Sequence, residues 1–176
     1  MIKQIWMAGL MALCLSAPTS AQEFIEDVNY IRLSNPQAVQ TGGKIEVLEL
    51  FWYHCPHCFH LEPYLNRWLK NSADYIEYVR LPAILTGSWE FDARVFYTFE
   101  ALGVTETMHK AYFDAIHKDR KSFVTEEQVA GWAREYGVER QDFLDTFFNS
   151  FYVNSKVETA RKLTGAYETD GVPTII

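Results

Sequence analysis

Ile45-Glu46-Val47-Leu48-Glu49-Leu50-Phe51-Trp52-Tyr53-His54-Cys55-Pro56-His57-Cys58-Phe59-His60 is the segment around which the rest of the chain can be placed. Residues 45–53 are too apolar to alternate cleanly, which predicts a central strand covered on both faces. Gly42-Gly43 punctuates its start. After the cysteines, Leu61, Tyr64, Leu65, Trp68 and Leu69 recur at helical spacing, so a helix is expected to run to about Lys70. Residues 75–81 read as a second strand, ended by Pro82. Strand, helix and strand in this order make a βαβ unit with a right-handed crossover.

Working outward, Tyr30-Ile31-Arg32-Leu33 reads as a short first strand closed by Ser34-Asn35-Pro36. Beyond Trp89 the pattern turns helical, with helices predicted at 90–102, 106–117, 126–136, 140–150 and 156–167. Thr125 and Gln128 form a capping-box signature, and Gly137 is a helix stop. Phe143, Leu144, Phe147, Phe148 and Phe151 make one apolar stripe, read as core; so do Val157, Ala160, Leu163 and Tyr167. Gly171-Val172-Pro173-Thr174-Ile175-Ile176 reads as the start of a strand with nothing after it to pair with. A closing strand and helix are therefore expected beyond Ile176, and this polypeptide is expected to expose a sheet edge.

Composition narrows the function. The 176 residues carry a formal net charge of −7, against the basic face that a nucleic-acid binder needs. With 48% hydrophobic residues the chain is not intrinsically disordered, and 15% aromatics predict a dense interior. Lys3, the apolar stretch 5–15 and Thr19-Ser20-Ala21 read as a cleaved secretion signal covering 1–21. As a helix that stretch spans about 16 Å, about half a hydrocarbon core, which disfavours the alternative of a retained anchor. Of the three cysteines, Cys14 leaves with the signal. Cys55 and Cys58 remain, closing a loop over only Pro56 and His57. Disulfide stabilisation grows with loop length, so this bridge is expected to serve chemistry rather than stability.

Each residue of Cys55-Pro56-His57-Cys58 has a physical task. A dithiol at this spacing, between a central strand and a helix, is a thioredoxin-like redox motif. Cys55 at the helix start meets free N–H groups and the positive dipole end, which favours an anion by up to about 2 kcal/mol. Pro56 suits the first turn, where its missing N–H is not needed. Protonated His57 would add charge beside the sulfur, and the more buried Cys58 would resolve. Stabilising a Cys55 thiolate stabilises the dithiol and makes the disulfide a stronger oxidant. A c-type haem site is excluded by Phe59 after the second cysteine. A metal site built from His54, His57 and His60 with the thiols is doubtful, because those imidazoles do not converge. Glu49, inside the apolar strand, is either a proton shuttle for Cys58 or an ordinary acid at a partly wet position. Glu46 points to the opposite face and is expected to be exposed.

Val47-Leu48-Glu49-Leu50-Phe51 before Cys55-Pro56-His57-Cys58, the helical middle, Asn149-Ser150-Phe151 and Gly171-Val172-Pro173 together resemble the bacterial DsbA family of thiol:disulfide oxidoreductases. The resemblance implies an α/β thioredoxin-like fold with an inserted all-helical domain, divided as 22–85, 86–152 and 153–176. It implies that Pro173 is a cis-proline facing Cys55, that Val172 offers backbone groups to a substrate peptide, that Glu49 is the family's buried acid and that Glu62 is a second acid on the active-site helix. Trp52 and Phe59 become candidates for an apolar substrate cleft. The implied activity is donation of the Cys55–Cys58 disulfide to unfolded secreted proteins in the periplasm, with no further cofactor. A DsbB-type membrane quinone oxidoreductase would be the re-oxidising partner. The rivals are a reductase or isomerase of the same fold, and a non-catalytic chaperone or metal-binding protein.

Overall fold

The computed structural model describes residues 23–39 and 41–176; the expected signal, with Lys3 and Cys14, lies outside the described residues. The chain divides after Ser34 into two compact units. In the first, Asp27 has φ 66° and a bridge joins Glu26 to Tyr30. Asn29 Oδ1 accepts the Ile25 N–H at 3.0 Å, and Arg32 pairs with Glu26 at 3.1 Å. The strand expected at 30–33 does not form. Polar groups here close on near neighbours, while Tyr30 and Ile31 stay exposed.

The second unit holds a three-stranded sheet. Central β1 (Ile45–Phe51) pairs in parallel with β2 (Ile76–Pro82) and antiparallel with β3 (Thr174–Ile175). The register sets Glu49 opposite Arg80 on one side and opposite Ile175 on the other. Burial rises along β1 from exposed Ile45 to fully enclosed Leu50 and Phe51. The strand ends two residues before the expected boundary because the Trp52 carbonyl accepts the Cys55 N–H at 3.0 Å and turns the chain. Glu46 is half-buried rather than exposed. The segment after Pro173 has a pairing partner after all: Leu48 and Ile176 exchange both backbone hydrogen bonds at 2.8 Å.

α1 (Pro56–Leu69) connects β1 to β2. Between β2 and β3 come α2 (Glu90–Ala101), α3 (Thr105–His117), α4 (Glu126–Ala133), α5 (Arg140–Asn149) and α6 (Phe151–Ala166). The Thr125–Gln128 capping box starts α4, and Gly137 at φ 82° ends the 3₁₀ turn that follows it. α6 begins five residues before the expected start, because Ser150 Oγ accepts the Val153 N–H at 3.3 Å and caps it. The break at Ser150 also splits the expected aromatic stripe: Phe143, Leu144 and Phe147 are buried, whereas Phe148 and Phe151 are exposed. On α1, Leu65 is buried but Tyr64 and Trp68 are exposed.

Two aromatic layers meet where β1 ends. Phe51 packs edge-on to Phe96 of α2 at 5.3 Å and to Tyr53 at 5.2 Å. Tyr53 in turn meets Tyr112 and Phe113 of α3 at 4.6 and 4.9 Å. Such T-shaped pairs add about 0.5–1.5 kcal/mol each beyond area burial. They seat the end of β1, and with it the first cysteine, against the helical segment.

Candidate active site

Cys55 is the N-cap of α1, with φ −81° and ψ 115°, and Pro56 occupies the first helical turn. The N-cap position directs the Cys58 amide at the Cys55 sulfur, 3.5 Å away. Both cysteines are free, and the Cys55 thiol donates to the Val172 carbonyl at 3.3 Å. The Val172–Pro173 peptide bond is cis. A loop 117 residues away in sequence is thus set directly across from the helix start. Cys55 is 7% exposed, whereas Cys58 is fully enclosed. Burial pushes the Cys58 thiol well up, and neighbouring Cys55 and Glu49 push in the same direction. Both cysteines are buried, and of the two only Cys55 keeps any exposure. Pro56, His57 and His60 are exposed.

Glu49 is fully buried. Burial pushes its carboxyl up to about 7, with Glu62 adding to the effect and Tyr78 and Arg80 opposing it. Tyr78 donates its hydroxyl to Oε2, and Arg80 Nε lies 3.7 Å from the same oxygen. Oε1 has no hydrogen-bond partner among the described residues.

Glu62, on α1, is buried as well. Arg80 reaches it at 3.4 Å, Asn66 donates at 3.2 Å, and His109 of α3 lies 3.2 Å away through Nε2. Burial pushes the Glu62 carboxyl up, but His109, Arg80 and Asn66 together hold it below the usual range. Burial pushes the His109 imidazole down, outweighing Glu62. A neutral ring satisfies every partner: Nε2–H donates to Glu62 and Nδ1 accepts the Tyr53 hydroxyl, 3.0 Å away.

The aromatic candidates are engaged within the protein. Half-buried Trp52 donates Nε1–H to Asp92 Oδ2 at 2.6 Å and stacks on Trp89 at 4.1 Å with planes 6° apart. Phe59 stacks on His117 at 4.7 Å, and Lys118 Nζ lies over the Phe59 ring, 5.7 Å from its centroid. His117 Nε2 contacts the Tyr53 carbonyl at 2.8 Å. Among the described residues no three His, Cys, Asp or Glu side chains are grouped to hold a metal ion. Sequence reasoning did not single out Asp92, His109, Tyr78 or Arg80. Asp92 and His109 are buried and Tyr78 and Arg80 half-buried, and nothing in their local spacing announces that placement.

A pair of thiols, one at a helix end with a small residual exposure and one fully enclosed, can cycle between dithiol and disulfide. The comparisons with known proteins agree. The family described as a DSBA-like thioredoxin domain matches residues 78–176. The thiol:disulfide interchange protein DsbA of Pseudomonas aeruginosa is 40% identical over 166 residues, spanning 94% of this chain and 78% of that protein. Its namesake from Azotobacter vinelandii is 42% identical over 147 residues, 84% of this chain and 68% of that one. The crystal structure of Pseudomonas aeruginosa DsbA superposes with TM-score 0.77 at 42% identity, covering 83% of this chain and 76% of that chain. NmDsbA1 of Neisseria meningitidis gives TM-score 0.75 at 28% identity, covering 86% and 80%. With its helical segment inserted in an α/β thioredoxin-like fold, the chain belongs to the DsbA family of thiol:disulfide oxidoreductases.

Proposed function

We propose that the chain works as a dithiol oxidase, with Cys55 as the attacked sulfur and Cys58 as the leaving one. The observation that carries this reading is Cys55 at the N-cap of α1, its sulfur facing the Cys58 amide and the Val172 carbonyl. In the oxidised molecule a substrate thiolate attacks Cys55 Sγ. The Cys55–Cys58 bond breaks, a substrate–Cys55 disulfide forms, and Cys58 leaves with the electron pair and takes up a proton. A second substrate thiolate attacks the substrate sulfur and releases Cys55. The substrate loses two electrons and two protons, and the dithiol holds them.

Glu49 is placed in this scheme as the proton source for Cys58: its carboxyl is held near 7 and its charge is felt by that thiol. The Val172 carbonyl and the cis bond at Pro173 offer an edge for an extended substrate chain. Trp52 and Phe59, both half-buried, are proposed to border that chain, and exposed His57 to add positive charge beside the sulfur. The thioredoxin-like part is assigned to 22–85 and 153–176, with 86–152 inserted. The substrates are unfolded secreted proteins in the periplasm, and a DsbB-type membrane quinone oxidoreductase restores the disulfide.

Cys55→Ser is expected to abolish oxidation of a reduced model protein, and Cys58→Ser, given a substrate that carries a disulfide, to accumulate the mixed disulfide as Cys55 attacks one substrate sulfur and the other leaves as a thiol. Equilibration of the native chain with glutathione then fixes the direction. A potential as low as that of a reductase overturns the oxidase reading, and stoichiometric metal binding without thiol exchange overturns it altogether.

A further inference from the structure

Asp92 lies in the first turn of α2, is 3% exposed, and belongs to none of the groups given a role above. Three donors from two other parts of the fold converge on it. Trp52 Nε1 meets Oδ2 at 2.6 Å, His54 Nδ1 meets the same oxygen at 2.8 Å, and the Tyr112 hydroxyl of α3 reaches Oδ1 at 3.4 Å. Trp52 and His54 belong to the turn that presents the active sulfur, since the Cys55 N–H is bonded to the Trp52 carbonyl. One buried carboxylate from the inserted helices therefore holds two side chains of the loop that ends in Cys55. His54 is the residue directly before that cysteine, and its side chain remains 33% exposed.

The pair has an electrostatic consequence. The hydrogen bond that His54 donates to Asp92 pushes the imidazole up from its ordinary value of 6.5, against the opposing effect of burial. Removing Asp92 would leave a ring freer to lose its proton and to turn away. On the loop side, His54 meets the Trp52 ring at 5.4 Å and is followed by Cys55; from the helical side the charged group facing it is Asp92, backed by Tyr112. A cation kept next to a sulfur that alternates between disulfide and thiolate favours the thiolate, and so the dithiol.

We propose that Asp92 is a positioning residue that anchors His54 as a fixed cation beside Cys55, and that this pair strengthens the disulfide as an oxidant. The proposal rests on the oxidase reading and adds to it residues that tune the potential. Neither residue touches the reacting bond as a proton carrier.

The test is the equilibrium in which disulfide and two glutathione thiols give dithiol and oxidised glutathione, measured at pH 7 for the whole chain. His54→Gln and Asp92→Asn are each expected to lower that constant by about threefold to tenfold, the range for one charge acting near the surface. The double variant is expected to fall no further than either single one, because the two residues act as a unit. His54→Lys, which restores a cation, should recover most of the native constant. The difference between native chain and His54→Gln should narrow as pH rises past the titration of His54, which loss of packing alone would not produce. His54 is partly exposed, so its variants report even if Asp92→Asn unfolds. Native constants in His54→Gln, additive losses in the double variant, or failure of His54→Lys to restore the value would each overturn the proposal. A native chain with the potential of a reductase would instead overturn the oxidase reading, whatever the variants do.

Discussion

Glu49 and His109 shift stability with pH in opposite directions. In the unfolded chain the Glu49 carboxyl returns to its ordinary 4.5, against about 7 when folded. Between those values the folded state holds a proton that the unfolded state has released, so stability falls as pH rises from about 4.5 to about 7 and is level above. The full cost is about 3 kcal/mol. Glu49→Gln, neutral at every pH, is expected to remove that slope and to be more stable than the native chain at pH 8 by about 1–3 kcal/mol in guanidinium unfolding. A Gln variant no more stable there would contradict the buried-acid account. His109 has the other sign. Its folded value lies below 6.5, so the unfolded chain takes up the proton first and stability falls as pH drops below 6.5. His109→Ala also opens a cavity, leaves the Tyr53 hydroxyl without its partner and removes one of the donors to Glu62. The expected loss is about 3 kcal/mol by the same unfolding measurement.

The elements differ in how openly their ends are written in the chain. At the start of α4, Thr125 Oγ1 accepts the Gln128 N–H at 3.4 Å, while Gln128 Oε1 accepts the Thr125 N–H at 3.2 Å and the Val124 N–H at 2.8 Å. Thr125→Ala is expected to cost about 1 kcal/mol in chemical unfolding. The glutathione equilibrium should not move, since α4 supplies no group to the thiols. That cap was legible because it is a three-residue spacing. The start of α6 was not: Ser150 looks like the last residue of the preceding helix until its hydroxyl is seen to accept the Val153 N–H. Likewise 30–33 has strand-like residues, yet a strand needs a partner and an apolar surface, and neither is local information.

Across the whole molecule, the active-site disulfide is expected to behave unlike a structural staple. If the folded protein favours the dithiol more than the unfolded chain does, the thermodynamic cycle requires the oxidised form to be less stable than the reduced one. Paired unfolding curves of the two forms at pH 7 check this; an oxidised form that resists denaturant better than the dithiol would refute it. The same curves probe how the inserted helices are joined to the sheet. Asp92 and His109, both from those helices, meet Trp52, His54, Tyr53 and Glu62 around the end of β1 and the start of α1.

Local order alone carried the redox motif, the β1–α1–β2 unit and the helical middle, because each depends on periodicity, helix-end chemistry or a four-residue spacing. It also placed Glu49 within the apolar strand, though not whether water reaches it. Only the tertiary structure decided which acids are buried and what stands beside them. Arg80, His109 and Asp92 lie 31, 60 and 43 residues beyond Glu49 in the chain. Their charges matter through desolvation and a few ångströms of separation, quantities that arise only once distant segments have packed together.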